Sequence, residues 1–108
     1  MSVTVYQIPI TENDRDDKSP VLNTWRTLLT WGSVKWDETF WRFFQPVATV
    51  ETDDLEDAFK IMNLWEEPEK VERITDRIRS LSVGDIIKKD GRFYMVDSFG
   101  FGEIPTPD

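Results

Sequence analysis

The chain has 108 residues, a formal net charge of -8, five Trp and seven Phe, and neither Cys nor His. That length suits a single domain spanning residues 1–108 with one core of its own. The missing thiols exclude disulfides and thiolate metal sites, and the missing imidazoles remove the commonest general base and nitrogen ligand. The sign of the charge also runs against the clustered Lys and Arg that bind phosphate backbones. The opening MSVTVYQIPI has no basic segment and no long apolar run, and no stretch of the chain approaches the ~20 apolar residues that cross a bilayer. The expectation is a cytoplasmic protein without membrane association.

Residues 2–10 alternate β-branched and aromatic side chains, with Val3, Val5 and Ile8 set against Tyr6, and Pro9 then removes a ladder donor, so a first strand ends there. Residues 11–18 are charged and without period, which predicts an exposed loop. Ser19 followed by Pro20 gives an N-cap and a first helical position, and Val21, Leu22, Trp25, Leu28 and Leu29 share a face, predicting a helix over 20–30 with Gly32 as its stop. The aromatics from Val34 to Phe44 fit either helical turns or irregular chain. Residues 43–51 predict a strand, one side of which is left unpaired at Pro46.

Asp53 with Glu56 three positions on forms a capping box for a second helix over 54–63, burying Leu55, Ala58, Phe59 and Met62 and turning Asp54, Glu56, Asp57 and Lys60 to water. A third helical period over 68–80 opens with Pro68 and carries Val71, Ile74, Ile78 and Leu81, with Glu69 to Arg73 a favourable neighbour pair and Arg73 to Arg77 a repulsive one. Ile86 and Ile87, then Asp90-Gly91, then Phe93 to Val96 describe a hairpin with a type I′ turn. Together these elements predict an α+β fold: a small, mostly antiparallel sheet of about four strands with two or three helices packed on one face.

Residues 51–80 hold ten acidic and five basic side chains, against six and five in residues 1–50, so the acidity belongs to the helices of the middle of the chain. Asp53, Asp54, Glu56 and Asp57 project in different directions from a helix start, which favours a solvated acidic face over a cation site. Ser80, Ser82, Ser98, Asp85 and Asp97 are the groups available for catalysis, but Ser-Val-Gly-Asp leading into a strand is more simply a turn in which Asp and Ser bond nearby backbone. No catalytic residue, metal or cofactor is assigned, and the chain is read as a non-enzyme. Ser98 to Gly102 lacks the Gly-Lys-Ser/Thr ending and the following helix of a phosphate loop. The simpler reading is a glycine-kinked strand end that packs Phe99 and Phe101 on the sheet, and exposed rings there would instead mark a partner contact.

In the Trp-rich stretch Trp25 and Phe40 are assigned to the core, leaving one or two of Trp31, Trp36 and Trp41 as candidate protein-contact anchors. With Asp54, Asp57, Glu66, Glu67, Phe99 and Phe101 they make up the candidate surface, suited to a protein partner with a basic or neutral face. The competing reading is a single-stranded nucleic-acid binder in which Trp31, Trp36 and Trp41 stack bases between Arg26, Lys35 and Arg42.

From about residue 50 to 104, the order D-D-L-E-D-A-F-K-I-M-N, R-S-L-S-V-G-D-I-I and D-G-R-F-Y-M-V-D-S-F-G-F-G-E-I resembles the YodL-like domain of small bacterial, phage and mobile-element proteins. The more specific part is Arg79 through Asp85 joined to Asp97 through Phe101. The acidic insert between Asn63 and Arg79 and the Trp-rich first half depart from that pattern. The resemblance implies an accessory module without an assigned reaction, in a phage or mobile-element setting where small acidic proteins bind and block host proteins, some by imitating the charge of DNA.

Overall fold

A computed structural model of the chain describes residues 2–9, 19–76 and 78–106. The loop expected over 11–18 and the Arg77 half of the repulsive helix pair lie outside the described residues. β1 (Val3–Gln7) alternates as expected, and its two faces feed two different cores. Val3 and Val5 pack into one core with Val47, Ala48, Val50 and Ile87. Tyr6 points the other way, toward Ile86, Phe93 and Met95. A strand with both faces covered belongs in the middle of a sheet. β1 is paired on one side with β2 (Gln45–Val50) and on the other with β4 (Ile86–Lys89).

The remaining strands extend the sheet outward. β3 (Val71–Arg73) pairs with β2, β5 (Arg92–Val96) with β4, and β6 (Phe101–Ile104) with β5, all antiparallel. Among the described residues the order is β3-β2-β1-β4-β5-β6, a six-stranded sheet. The expectation of about four strands missed β3 and β6. The β4–β5 hairpin turns at Asp90 (φ 52) and Gly91 (φ 79), as its Asp-Gly pair requires.

The third helix expected over 68–80 does not form. Pro68–Lys70 make a single 3-10 turn, Val71–Arg73 are extended, and the chain from Ile74 on is irregular. Extended chain here gives Ala48 to Val50 of β2 a second partner strand, with Val50 opposite Val71. The Val47 carbonyl accepts from the Ile74 N–H (2.9 Å). Satisfying those backbone groups outweighs a four-residue apolar period, because helix propensity is a weak preference that tertiary pairing overrides. Pro46 lies beyond the residues that β3 pairs, where no donor is needed.

α1 (Pro20–Trp31) starts at Ser19, whose Oγ accepts from the Leu22 N–H, and ends at Gly32, whose N–H donates to the Leu28 carbonyl. Two 3-10 segments, Gly32–Lys35 and Glu38–Phe43, follow it. Leu28, Trp25, Trp36, Phe40 and Trp41 pack with the second core. α2 (Leu55–Leu64) places Ala58, Ile61 and Met62 in the first core. The two helices therefore cover opposite faces of the sheet, which corrects the expectation of helices on one face. The reason lies in the strands: Ile86 and Ile87 are adjacent and both fully buried, so each face of β4 carries an apolar side chain that needs a cover. The α2 cap also shifts by one residue, since Asp54 and not Asp53 accepts from the Glu56 N–H (2.9 Å).

Candidate protein-interaction surface

The expected surface residues divide between the two faces of the sheet. On the α1 face, Trp41 packs edge-on against Phe93 (ring centroids 4.9 Å apart), Trp36 (5.1 Å) and Tyr6 (6.2 Å). Trp36 adds Phe40 at 5.9 Å. Both indoles are half-buried and locked by rings on several sides, an arrangement that stabilises packing and leaves little open ring face. Trp31, at the end of α1, is 58% exposed, with the Lys35 ammonium 5.8 Å from its ring.

On the α2 face, Asp54 is occupied as the helix cap and Asp57 accepts from the Thr52 hydroxyl (2.8 Å). Asp57, Glu66 and Glu67 come together around a shallow hollow of about 190 Å³ shared with Lys60, Ile61 and Leu64. Glu67 pairs with Lys70 at 3.4 Å. Among the described residues no group of three or more carboxylates is arranged to hold a metal ion.

A larger cleft of about 390 Å³ lies between α2 and the turn joining β5 to β6. Phe59, Val96 and Phe101 supply its apolar lining, with Glu56, Lys60 and Asp97 the charged groups around it. Phe99 and Phe101, expected as a pair, are separated because β6 begins at Phe101 and Phe99 lies in the turn before it. Phe101 packs against the first core, while Phe99 stands on the turn with 98% of its surface exposed. For Phe99 the packed reading is therefore corrected: the turn projects away from the sheet, and its ring has nothing to lie on.

Asp97 ties this turn to the end of α1. Its carboxylate accepts from the Ser33 N–H (2.7 Å) and the Ser33 hydroxyl (2.6 Å). Trp31 and Val34, the latter 81% exposed, are thereby held at the end of the molecule that carries Phe99. Gly102 fits beneath the same junction, where a Cβ would overlap both Ser33 and the Asp97 carboxylate. Val34 was not foreseen as a surface residue, because a lone valine among aromatics carries no signal of its exposure.

The turn expected from Ser82 to Asp85 forms, with the Asp85 N–H on the Ser82 carbonyl (3.1 Å), but sequence reasoning missed the buried polar centre built on it by Gln7 and Arg79. Gln7, on the inward face of β1, donates to the Arg79 carbonyl (2.9 Å) and to Asp85 (3.2 Å), and accepts from the Arg79 N–H. The Arg79 guanidinium reaches Asp85 at 3.1 Å and the Ile8 carbonyl at 2.8 Å. Asp85 also accepts from the Ser82 N–H (3.0 Å). Burial pushes the Asp85 carboxyl up to about 6, while the Arg79 charge and hydrogen bonds from Ser82 and Gln7 pull it down. Gln7 and Asp85 are almost wholly out of solvent, so this cluster pins the chain from 79 to 85 against β1. The signal for it was an uncharged polar residue, Gln7, on the strand face it shares with the buried Val3 and Val5.

No family model matches the chain, and neither the curated proteins nor the solved structures contain a significant match.

Proposed function

We propose that this chain is a non-enzymatic protein-binding module that acts through the end of the molecule built from Trp31, Val34 and Phe99 and the cleft beside Phe101. The observation that carries the reading is the exposure of three apolar side chains, Trp31 (58%), Val34 (81%) and Phe99 (98%), on two segments that the Asp97–Ser33 pair fastens together, an apolar surface suited to a partner. The net charge of -8 adds long-range attraction to a basic partner surface. The resemblance of residues 50–104 to YodL-like domains supports a phage or mobile-element setting with inhibitory action on a host protein.

Capture from the native host's lysate, repeated with a Trp31→Ala/Phe99→Ala double variant, tests this. A protein retained by the native chain and lost by the variant is the expected result, with an association rate that falls as salt is added. Equal retention by both would end the assignment to this surface. Quenching of tryptophan fluorescence by oligonucleotides at low salt, abolished by Trp31→Ala, would replace it with nucleic-acid binding.

A further inference from the structure

Among the described residues β6 forms one edge of the sheet. The Val96 N–H donates to the Asp85 carbonyl and the Val96 carbonyl accepts from the Gly84 N–H, so both backbone groups of Val96 face β4. Its opposite number in β6, Phe101, is consequently a non-hydrogen-bonded pair, and by alternation so is Glu103, opposite Tyr94. Phe101 and Glu103 therefore turn their N–H and C=O groups away from β5. Among the described residues no strand pairs with that side. The side chains of Phe101 and Glu103 lie on the α2 face, and the 390 Å³ cleft ends at Phe101. An open strand edge beside an apolar cleft closed by a helix is the arrangement by which extended peptides are recognised, with main-chain bonds supplying affinity and the cleft supplying selectivity.

Resting on the reading of the chain as a protein-binding module, we infer that β6 takes an extended segment of a partner protein as a seventh strand, one apolar side chain entering the cleft beside Phe59 and Phe101 and a Lys or Arg flanking it. Charge selects this occupant. Glu56 at the cleft and Glu103 on the strand stand against Lys60 and Arg92, the latter 3.8 Å from Glu103 with both side chains half or more exposed, and the chain's net charge of -8 tips this balance toward a cationic segment. A second copy of the chain fits less well. Antiparallel β6-to-β6 pairing would bring two Glu103 carboxylates to one short ladder between bodies of net charge -8 each.

The test screens a displayed library of random eight-residue peptides against the intact protein and follows the best binder as a synthetic peptide. The expected sequences carry Lys or Arg beside an apolar residue, and binding slows hydrogen exchange of the Phe101 and Glu103 amides tenfold or more. Glu103→Pro removes an outward donor without touching the β5 ladder and is expected to weaken binding at least tenfold. Glu103→Ala keeps the N–H and loses only the carboxylate, so it is expected to weaken binding less than Glu103→Pro does, with a gap from the native chain that narrows as salt is added. N-methylation of alternate peptide amides gives the same loss with the native protein, independent of how the proline variant folds. Selection of acidic peptides or none, binding that survives N-methylation at every amide, or a dimer abolished by Glu103→Pro would each overturn the inference. A lysate partner lost with Trp31→Ala/Phe99→Ala but kept by Glu103→Pro would overturn this inference alone. A partner indifferent to both would remove the underlying reading as well.

Discussion

Asp97 grips Ser33 with both carboxylate oxygens, one on the backbone N–H at 2.7 Å and one on the hydroxyl at 2.6 Å, across 64 residues of sequence. This pair joins the end of α1 to the β5–β6 turn and fixes how Trp31 and Val34 stand relative to Phe99. Asp97→Ala is expected to cost about 2 kcal/mol, the usual loss for a partly buried charge-assisted pair of bonds. Gly102→Ala is expected to cost at least as much, because its Cβ would overlap the same two side chains. Urea unfolding of the two variants checks both, and a loss below about 0.5 kcal/mol for each would mean that the junction carries no stability.

Asp85 makes stability depend on pH in a defined sense. Its folded value of about 6 lies above its ordinary 3.8, so the folded protein holds this proton more tightly than the unfolded chain does. The contribution is complete below the lower value and is lost as pH rises through the upper one. The stability of the native chain minus that of Asp85→Asn, which does not titrate, is expected to fall between about pH 4 and pH 7. Chemical unfolding at several pH values measures it, and a flat or rising difference would contradict the buried setting of this carboxyl.

The α2 cap separates two adjacent aspartates. Asp54→Ala is expected to destabilise by about 1 kcal/mol through loss of the bond to the Glu56 N–H, whereas Asp53→Ala stays within about 0.5 kcal/mol. Thermal unfolding of the pair distinguishes them. Equal effects would return the cap to the register expected from the Asp53-Glu56 spacing.

The tryptophans should sort by packing. Trp41→Ala removes a ring in contact with Tyr6, Trp36, Phe44 and Phe93 and is expected to cost about 3 kcal/mol. Trp31→Ala and Phe99→Ala are expected to change stability by less than about 0.5 kcal/mol, since neither side chain supports the core. A stable Trp41→Ala variant would show that the aromatic cluster is dispensable to the fold and free to serve a partner.

Local sequence chemistry determined the elements whose signals act over a few residues. Ser19-Pro20 set the start of α1, alternation set β1, and Asp90-Gly91 set the β4–β5 turn with its two positive φ values. The α+β class follows from these together. Tertiary structure decided what depends on a distant partner. Val71–Arg73 became a strand because β2 had backbone groups to satisfy, and the helices split between two faces because β4 buries adjacent isoleucines. The candidate surface was legible only as a set of residue types. Trp36 and Trp41 are held in the aromatic cluster while Phe99 stands in solvent, and the difference arises from which side chains the folded sheet brings alongside each ring. Exposure is a property of neighbours far apart in the chain, and a periodicity read along the chain does not contain them.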